Sequence, residues 1–137
     1  MKSLYTATAV ATGDGRNGHV ESTDGLLSVD VRTPQEMGGL GGATNPEQLF
    51  AAGYAACFHS ALRLVAQRAG VDVGESEVVA DVSLGQAGEG FGLAVGLEIT
   101  VPGVDREQVR TLAEQAHRVC PYSNATRGNV EVTLTVA

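Results

Sequence analysis

The chain has 137 residues, of which 43% are hydrophobic and 18% are charged, and its formal net charge at pH 7 is −7. This length is enough for a hydrophobic core, so we predict a single domain over residues 1–137. The acidic balance argues against a basic nucleic-acid-binding surface, and no stretch is predicted to cross a membrane.

The cysteine content and the N-terminal sequence point to a compartment. The chain has two cysteines, and residues 1–10 lack the apolar segment and cleavage site of a secretory signal. In a cytosolic protein a disulfide is usually transient and redox-active. We therefore expect a cytoplasmic protein, in which a disulfide between the two cysteines would be transient and redox-active rather than structural.

The first third of the chain predicts three strands. Leu4–Thr12 is rich in Thr, Ala and Val, and His19–Ser22 follows it after a glycine-rich turn that ends in the Asn-Gly pair at 17–18. Arg16 lies at the tip of this predicted hairpin. Leu26–Arg32 alternates apolar and polar residues, which is typical of a half-buried strand.

A glycine-rich loop, Gly38–Gly42, leads from these strands towards a helix. It lacks the spacing of a dinucleotide-binding loop and the Gly-Lys-Ser/Thr ending of a P-loop. Glu47, in the first turn of the helix that follows, would repel an anion. We therefore interpret the glycines as positions that need positive φ values.

The stretch Asn45–Ala69 predicts one long helix. Asn45 is a good N-cap, Pro46 suits the first helical position, and Gly70 supplies the stop. Residues 49–62 carry no charge, whereas a surface helix carries a polar face. Since the segment is short for a comfortable membrane span, we expect a helix that protein covers on all sides.

The second half predicts a hairpin, a helix and a last strand. Glu77–Leu84 and Phe91–Val101 read as the hairpin strands, and Asp105 caps a helix that ends at Pro121. Asn129–Val136 alternates as a closing strand. The order of three strands, helix, two strands, helix and strand predicts an α+β fold with mainly antiparallel sheets.

The two cysteines lie on different predicted helices. Cys57 is inside the long helix, and Cys120 is at the C-terminal edge of the second one. Four interpretations of the two cysteines are open: unrelated core residues, a structural disulfide, a metal site, or a peroxidatic and resolving pair. The compartment disfavours the structural disulfide, and the lack of a Cys-x-x-Cys motif weakens the metal site. His59 lies on another side of the helix from Cys57, and we interpret His117 as a cation at a helix C-terminus.

Two long motifs resemble the organic hydroperoxide resistance proteins of the Ohr/OsmC superfamily. One is Val119–Asn129, which contains Cys-Pro-Tyr-Ser-Asn-Ala-Thr-Arg, and the other is Thr44–Phe58, which contains Cys57. The Arg16 hairpin and the loop at 37–39 also match, so the resemblance covers essentially the whole chain. The related OsmC branch generally lacks the Cys-Pro-Tyr-Ser run.

The resemblance implies a thiol-dependent peroxidase that reduces organic hydroperoxides. It makes Cys57 the peroxidatic and Cys120 the resolving cysteine, with Arg16 and Glu47 as a supporting pair. The family fold is an intertwined homodimer, with mainly antiparallel sheets wrapped around two long central helices. The implied electron donor is an external dithiol, a lipoylated protein, with no bound cofactor and no metal. An OsmC-like protein with another substrate, or a non-catalytic module that binds an apolar ligand, are the alternatives.

Peroxide reduction by a thiol explains why a cysteine, an arginine and a glutamate would occur together. The thiolate is the nucleophile, burial raises the pKa of a thiol, and a guanidinium such as that of Arg16 opposes this effect. Glu47 would hold Arg16 by a bidentate pair. Glu47 and Cys57 are ten residues apart on one helix, which is about 15 Å along its axis. We therefore expect a composite site in which one chain supplies Arg16 and Glu47 to Cys57 of a second chain.

Overall fold

The computed structural model describes all residues from Met1 to Ala137 and divides into two compact units, Met1–Leu49 and Phe50–Ala137. Three of its four strand pairs are antiparallel, which confirms the predicted α+β fold with mainly antiparallel sheets. The single domain stays a prediction. The elements follow in the order β1 (Ala9–Thr12), β2 (His19–Ser22), β3 (Ser28–Asp30), α1 (Pro46–Ala69), β4 (Glu77–Ala87), β5 (Gly90–Thr100), α2 (Arg106–Val119), α3 (Pro121–Thr126) and β6 (Glu131–Val136).

The first unit is built on a three-stranded antiparallel sheet in the order β1-β2-β3. The predicted hairpin over residues 13–18 is confirmed, although Gly13 and Gly15, not the Asn17–Gly18 pair, supply the positive φ values. β1 begins at Ala9 rather than at Leu4, because its partner β2 is only four residues long. A tight hairpin therefore presents Arg16 at its tip.

Three of the four glycines in the glycine-rich loop have the positive φ values that were predicted for them. Gly38, Gly41 and Gly42 all have positive φ values, which residues with a side chain rarely adopt. The loop ends where Thr44 and Asn45 lead into α1. Asn45 caps the helix, because its side-chain oxygen accepts a hydrogen bond of 2.9 Å from the backbone N–H of Gln48.

The second unit contains a three-stranded sheet in the order β4-β5-β6. β4 and β5 form a hairpin with a two-residue turn at Gly88–Glu89, while β6 runs parallel to β5 because α2 and α3 carry the chain back. Alternate residues of β5 are buried, which is the pattern of a sheet with one covered face. The hydrophobic core joins these side chains to residues of α1 and α2, among them Phe58, Leu62, Val95, Leu97, Ile99, Leu112 and Ala116.

The length and the surroundings of α1 bear on two predictions. Its 24 residues rise by about 36 Å, so by length and composition alone it would suit a membrane span. Tyr54, Phe58 and Leu62 are fully buried in the core of the second unit, however, and α1 serves there as a core helix. The single chain by itself does not cover α1 on all sides, so the cover by protein stays a prediction. One stripe at four-residue spacing is exposed, made of Ala52, Ala56, Ser60 and Leu64.

Candidate functional site

Cys120 lies at the junction of two helices, only one of which was predicted. Pro121 ends α2, because the residue before a proline avoids the helical region, and Cys120 accordingly has φ −64° and ψ 123°. Proline also suits the first position of a helix, so α3 starts at once. The N–H of Cys120 donates to Ala116 and its carbonyl accepts from Asn124, both at 2.9 Å. The backbone on either side therefore holds Cys120 in place.

The two thiols meet inside the second unit. The sulfur atoms of Cys57 and Cys120 are 3.5 Å apart, and both cysteines are free. A disulfide bond is about 2.05 Å long, so the pair is reduced but within reach of bond formation. Cys120 is completely buried, whereas Cys57 is partly exposed. Only Cys57 is thus accessible to a reagent from outside.

Some neighbours of Cys57 raise the pKa of its thiol, and another lowers it. Burial raises the pKa of Cys57 above its ordinary value, the backbone N–H of Tyr122 opposes this by donating to the sulfur, and the neighbouring Cys120 adds to the rise. Tyr122 is the second residue of α3, where a backbone N–H has no partner within the helix. The helix that begins after Cys120 therefore provides a hydrogen bond to Cys57.

Two largely apolar cavities share Pro121 in their linings. One has a volume of about 240 Å³, and its lining includes the sulfur-bearing Cys57 together with Ser60, Ala61, Leu64, Val119 and Pro121. The other has a volume of about 470 Å³ and is lined by Phe50, Pro121, Tyr122, Ala125 and Thr126. A small molecule with a hydrocarbon tail suits such walls, since few polar groups would lose hydration.

Arg16 and Glu47 form a bidentate ion pair in the first unit. The two guanidinium nitrogens donate to the two carboxylate oxygens at 2.9 Å and 2.7 Å. The hydrogen bond from Arg16 lowers the pKa of Glu47, and Glu47 raises the pKa of Arg16, so both groups are charged at neutral pH. The Arg16 side chain is still 40% exposed. It therefore retains an open side with which it can contact another group.

The structure thus brings the four predicted site residues together as two pairs, Arg16 with Glu47 and Cys57 with Cys120. Their roles stay predictions. His59 forms no dyad with Cys57, since its ring nitrogen bonds to the Ser76 hydroxyl at 2.9 Å.

The prediction that His117 is a cation is wrong. Burial lowers the pKa of His117 below its ordinary value, and the nearby guanidinium of Arg127 lowers it further. The imidazole is therefore neutral at pH 7. Its Nδ1 atom lies 2.7 Å from the hydroxyl oxygen of Ser123, a contact that the sequence analysis did not anticipate.

Sequence reasoning also missed the aromatic cluster beside the thiols. The rings of Phe50, Tyr54 and Tyr122 pack together, with centroids 5.6 to 6.2 Å apart. Gly53 makes this possible, because a Cβ atom there would lie 2.9 Å from the Tyr122 hydroxyl oxygen. A glycine inside a predicted helix, placed one turn before Cys57, was the available signal.

We expect Gly53→Ala to slow oxidation of Cys57 without stabilising the fold. Alanine in a helix interior normally gains about 0.5–1 kcal/mol over glycine, but here its methyl group would displace the Tyr122 ring. The backbone N–H of Tyr122 would then move away from Cys57. Urea unfolding and the rate of thiol oxidation by cumene hydroperoxide measure the two effects. A full gain in stability with an unchanged rate would contradict the expectation.

Comparison with known proteins identifies the family. Residues 39–135 match the model of the OsmC-like proteins. An organic hydroperoxide resistance protein from Xanthomonas axonopodis pv. citri is 54% identical over 99% of this chain and 96% of its own length. The organic hydroperoxide resistance protein OhrA of Bacillus subtilis is 52% identical, over 98% of this chain and 96% of its own.

Solved structures agree with the sequence comparison. A crystal structure of an organic hydroperoxide resistance protein from Legionella pneumophila superposes with a TM-score of 0.95. It is 54% identical in sequence, and the match covers 99% of both chains. The chain therefore belongs to the OsmC-like protein family and, within it, to the organic hydroperoxide resistance proteins.

Proposed function

We propose that the chain is a thiol-dependent peroxidase that reduces organic hydroperoxides to alcohols and so contributes to resistance against organic peroxides. The observation that carries this proposal is the pair of free thiols at 3.5 Å, one buried and one partly open. Relatives that are 54% and 52% identical over nearly the whole chain are named for organic hydroperoxide resistance, which supports the same substrate class.

The reaction runs in two steps on the cysteines. The Cys57 thiolate attacks the outer peroxide oxygen, the O–O bond breaks, and the alkoxide leaves and takes up a proton to become the alcohol. Cys57 is then a sulfenic acid. Cys120 forms the S–S bond to it, the S–O bond breaks, and hydroxide leaves as water with the Cys120 proton. The apolar cavities beside Pro121 would receive the alkyl tail of the substrate.

The disulfide must then be reduced from outside. An external dithiol can reopen it by thiol–disulfide exchange through Cys57, the partly exposed sulfur. We propose a lipoylated protein as the donor, on the family resemblance, and no bound cofactor. The reaction would take place in the cytoplasm, where such disulfides are transient.

Activation of Cys57 is assigned to Arg16. Burial raises the pKa of the Cys57 thiol, so a cation is needed to favour the thiolate near neutral pH. The Arg16 guanidinium keeps its charge at any physiological pH, and its ion pair with Glu47 orients the planar fork. The exposed side of Arg16 is the part that would approach the thiolate.

A homodimer would complete this site. In the single chain Leu4, Tyr5, Leu26 and Leu40 are each more than four-fifths exposed, and α1 presents the stripe from Ala52 to Leu64. Extensive exposed apolar surface marks an interaction site. A second copy that packs on these surfaces would bury them, and a two-fold axis would create two equivalent sites.

Mass spectrometry after one equivalent of cumene hydroperoxide tests the peroxidase. We expect the wild-type chain to lose two hydrogens, as an intramolecular Cys57–Cys120 disulfide, and to release cumyl alcohol. A parallel sample with hydrogen peroxide tests substrate preference, since an OsmC-like protein with another preferred substrate would not favour the organic peroxide. An unchanged mass would overturn the proposal and favour the non-catalytic binding module.

Mixing two inactive variants tests the composite site. We expect Cys57→Ser and Glu47→Ala chains to regain activity after subunit exchange, because wild-type Glu47 then faces wild-type Cys57 in one of the two sites of each heterodimer. With random exchange at equal amounts, about a quarter of wild-type activity should return. Each variant assayed alone is the control, and a tagged chain confirms the exchange. No recovery would indicate that Arg16 and Glu47 act within one chain.

A further inference from the structure

A network of four hydrogen-bonded side chains, most of them buried, lies near the two cysteines. The Tyr54 hydroxyl is 2.8 Å from the hydroxyl oxygen of Ser123 and 3.1 Å from that of Thr126. Ser123 is also 2.7 Å from Nδ1 of His117. Tyr54 and Ser123 are completely buried, and Thr126 is nearly so. Such groups are costly to bury unless each finds a partner, and here all of them do.

The hydrogen bond that Thr126 donates determines which group is the donor in every other hydrogen bond of this network. The Thr126 hydroxyl donates to the backbone carbonyl of Ser123 at 3.2 Å, so its oxygen accepts the proton of Tyr54. The Tyr54 oxygen then accepts from the Ser123 hydroxyl. The Ser123 oxygen in turn accepts from His117, which must therefore carry its proton on Nδ1. His117 therefore donates to Ser123, Ser123 donates to Tyr54, and Tyr54 donates to Thr126.

This network joins the two helices that carry the thiols. Tyr54 is three residues before Cys57 on α1, and Ser123 is three residues after Cys120 on α3, so each cysteine is about one helical turn from the link. Tyr54 makes both of the hydrogen bonds that join a side chain of α1 to a side chain of α3. On the far side, the Arg127 guanidinium donates to the carbonyl of His117.

We propose that the hydrogen-bond network of His117, Ser123 and Tyr54 positions Cys120 for attack on the oxidised Cys57. The proposal rests on the proposed peroxidase function and adds positioning residues for its second step. In that step the sulfurs must close from 3.5 Å to about 2.05 Å. A second hydroperoxide competes with this closure and would oxidise Cys57 to sulfinic acid. Holding α3 against α1 favours the disulfide, because a displaced thiol loses the advantage of an intramolecular reaction.

Tyr54→Phe tests the link, since it removes the hydroxyl and keeps the ring. We expect disulfide formation to slow by about tenfold or more, because misplacement by about 1 Å can cost up to about a hundredfold. Rapid-quench mass spectrometry with cumene hydroperoxide separates the sulfenic acid, the disulfide and the sulfinic acid. The rate of the first oxidation should stay close to that of the wild type, whereas the sulfinic acid yield should rise. Thr133→Val, which removes an exposed hydroxyl on β6 outside the proposed site, is the control.

A pair of His117 variants tests the proton order. An asparagine amide can donate in place of Nδ1–H, so His117→Asn should retain the wild-type rate of disulfide formation, while His117→Leu should lose it. Because His117 is only partly buried, this pair also serves if Tyr54→Phe folds poorly. Nitrogen NMR of the wild type should find the proton of the neutral imidazole on Nδ1.

The outcomes separate this inference from the function on which it rests. If wild-type protein forms no disulfide with the hydroperoxide, the peroxidase proposal fails. If the wild type forms it and Tyr54→Phe does so at the same rate with no more sulfinic acid, the positioning role is wrong and the peroxidase stands. Equal rates in His117→Asn and His117→Leu, or a proton on Nε2, would overturn the assigned proton order.

Discussion

Cys57→Ser is expected to abolish hydroperoxide consumption. A serine hydroxyl is far less acidic than a thiol, so position 57 would carry no anion able to attack the peroxide near neutral pH. Cys120 cannot replace it, because its sulfur is completely buried. Multi-turnover assays with a dithiol donor measure the loss, and circular dichroism shows whether the variant is folded. Full activity in Cys57→Ser would contradict the assignment of Cys57 as the nucleophile.

Cys120→Ser should behave differently and is the matched comparison. The first oxidation of Cys57 should proceed, because the Tyr122 N–H and the open side of Cys57 are unchanged. Without the second sulfur at 3.5 Å, the sulfenic acid would persist and excess peroxide would carry it to sulfinic acid. Trapping with a sulfenic-acid reagent, followed by mass spectrometry, identifies the two products. Sustained turnover in Cys120→Ser would show that Cys57 is resolved by an external thiol.

Arg16→Ala is expected to shift the reaction of Cys57 to higher pH. Burial already raises the pKa of this thiol, and loss of the guanidinium would raise it further. At pH 7 the rate then falls about tenfold for each unit by which the pKa rises, whereas at a pH above both pKa values the variant approaches the wild type. The pH profile of thiol alkylation measures the shift.

Two further variants sharpen this test. Arg16→Lys should restore only part of the effect, because an ammonium group lacks the planar fork that binds both oxygens of Glu47. Arg110→Ala is the control, since Arg110 is an exposed arginine on α2 that takes part in no ion pair. An unchanged pH profile in Arg16→Ala would show that Arg16 is only a turn residue.

The low pKa of Glu47 sets the pH range of the Arg16 ion pair. The hydrogen bond from Arg16 lowers the pKa of Glu47 below its ordinary value of 4.5, so the carboxylate favours the folded state above that value. This contribution is lost as the pH falls through the lowered pKa in the folded chain. The pair is therefore intact throughout the neutral range, in which the peroxidase would work, and acid alone would release the guanidinium.

The sequence by itself determined the elements that depend on local chemistry. Asn45 and Gly70 bound α1, and Asp105 caps α2, because caps and stops act within one turn of the chain. The glycines at 38, 41 and 42 revealed a loop with positive φ values for the same reason. The family motifs singled out Cys57 and Cys120 as a pair, although spacing alone left four interpretations open.

Only the tertiary structure decided what surrounds those residues. The 3.5 Å approach of Cys57 to Cys120 and the bond from Tyr54 to Ser123 join positions 63 and 69 residues apart. Such contacts depend on how α1 packs against α3, which no local pattern encodes. The neutral state of His117 likewise arises from burial and from Arg127, ten residues away in sequence. Local propensity can therefore locate a cysteine on a helix, while packing decides which groups meet its sulfur.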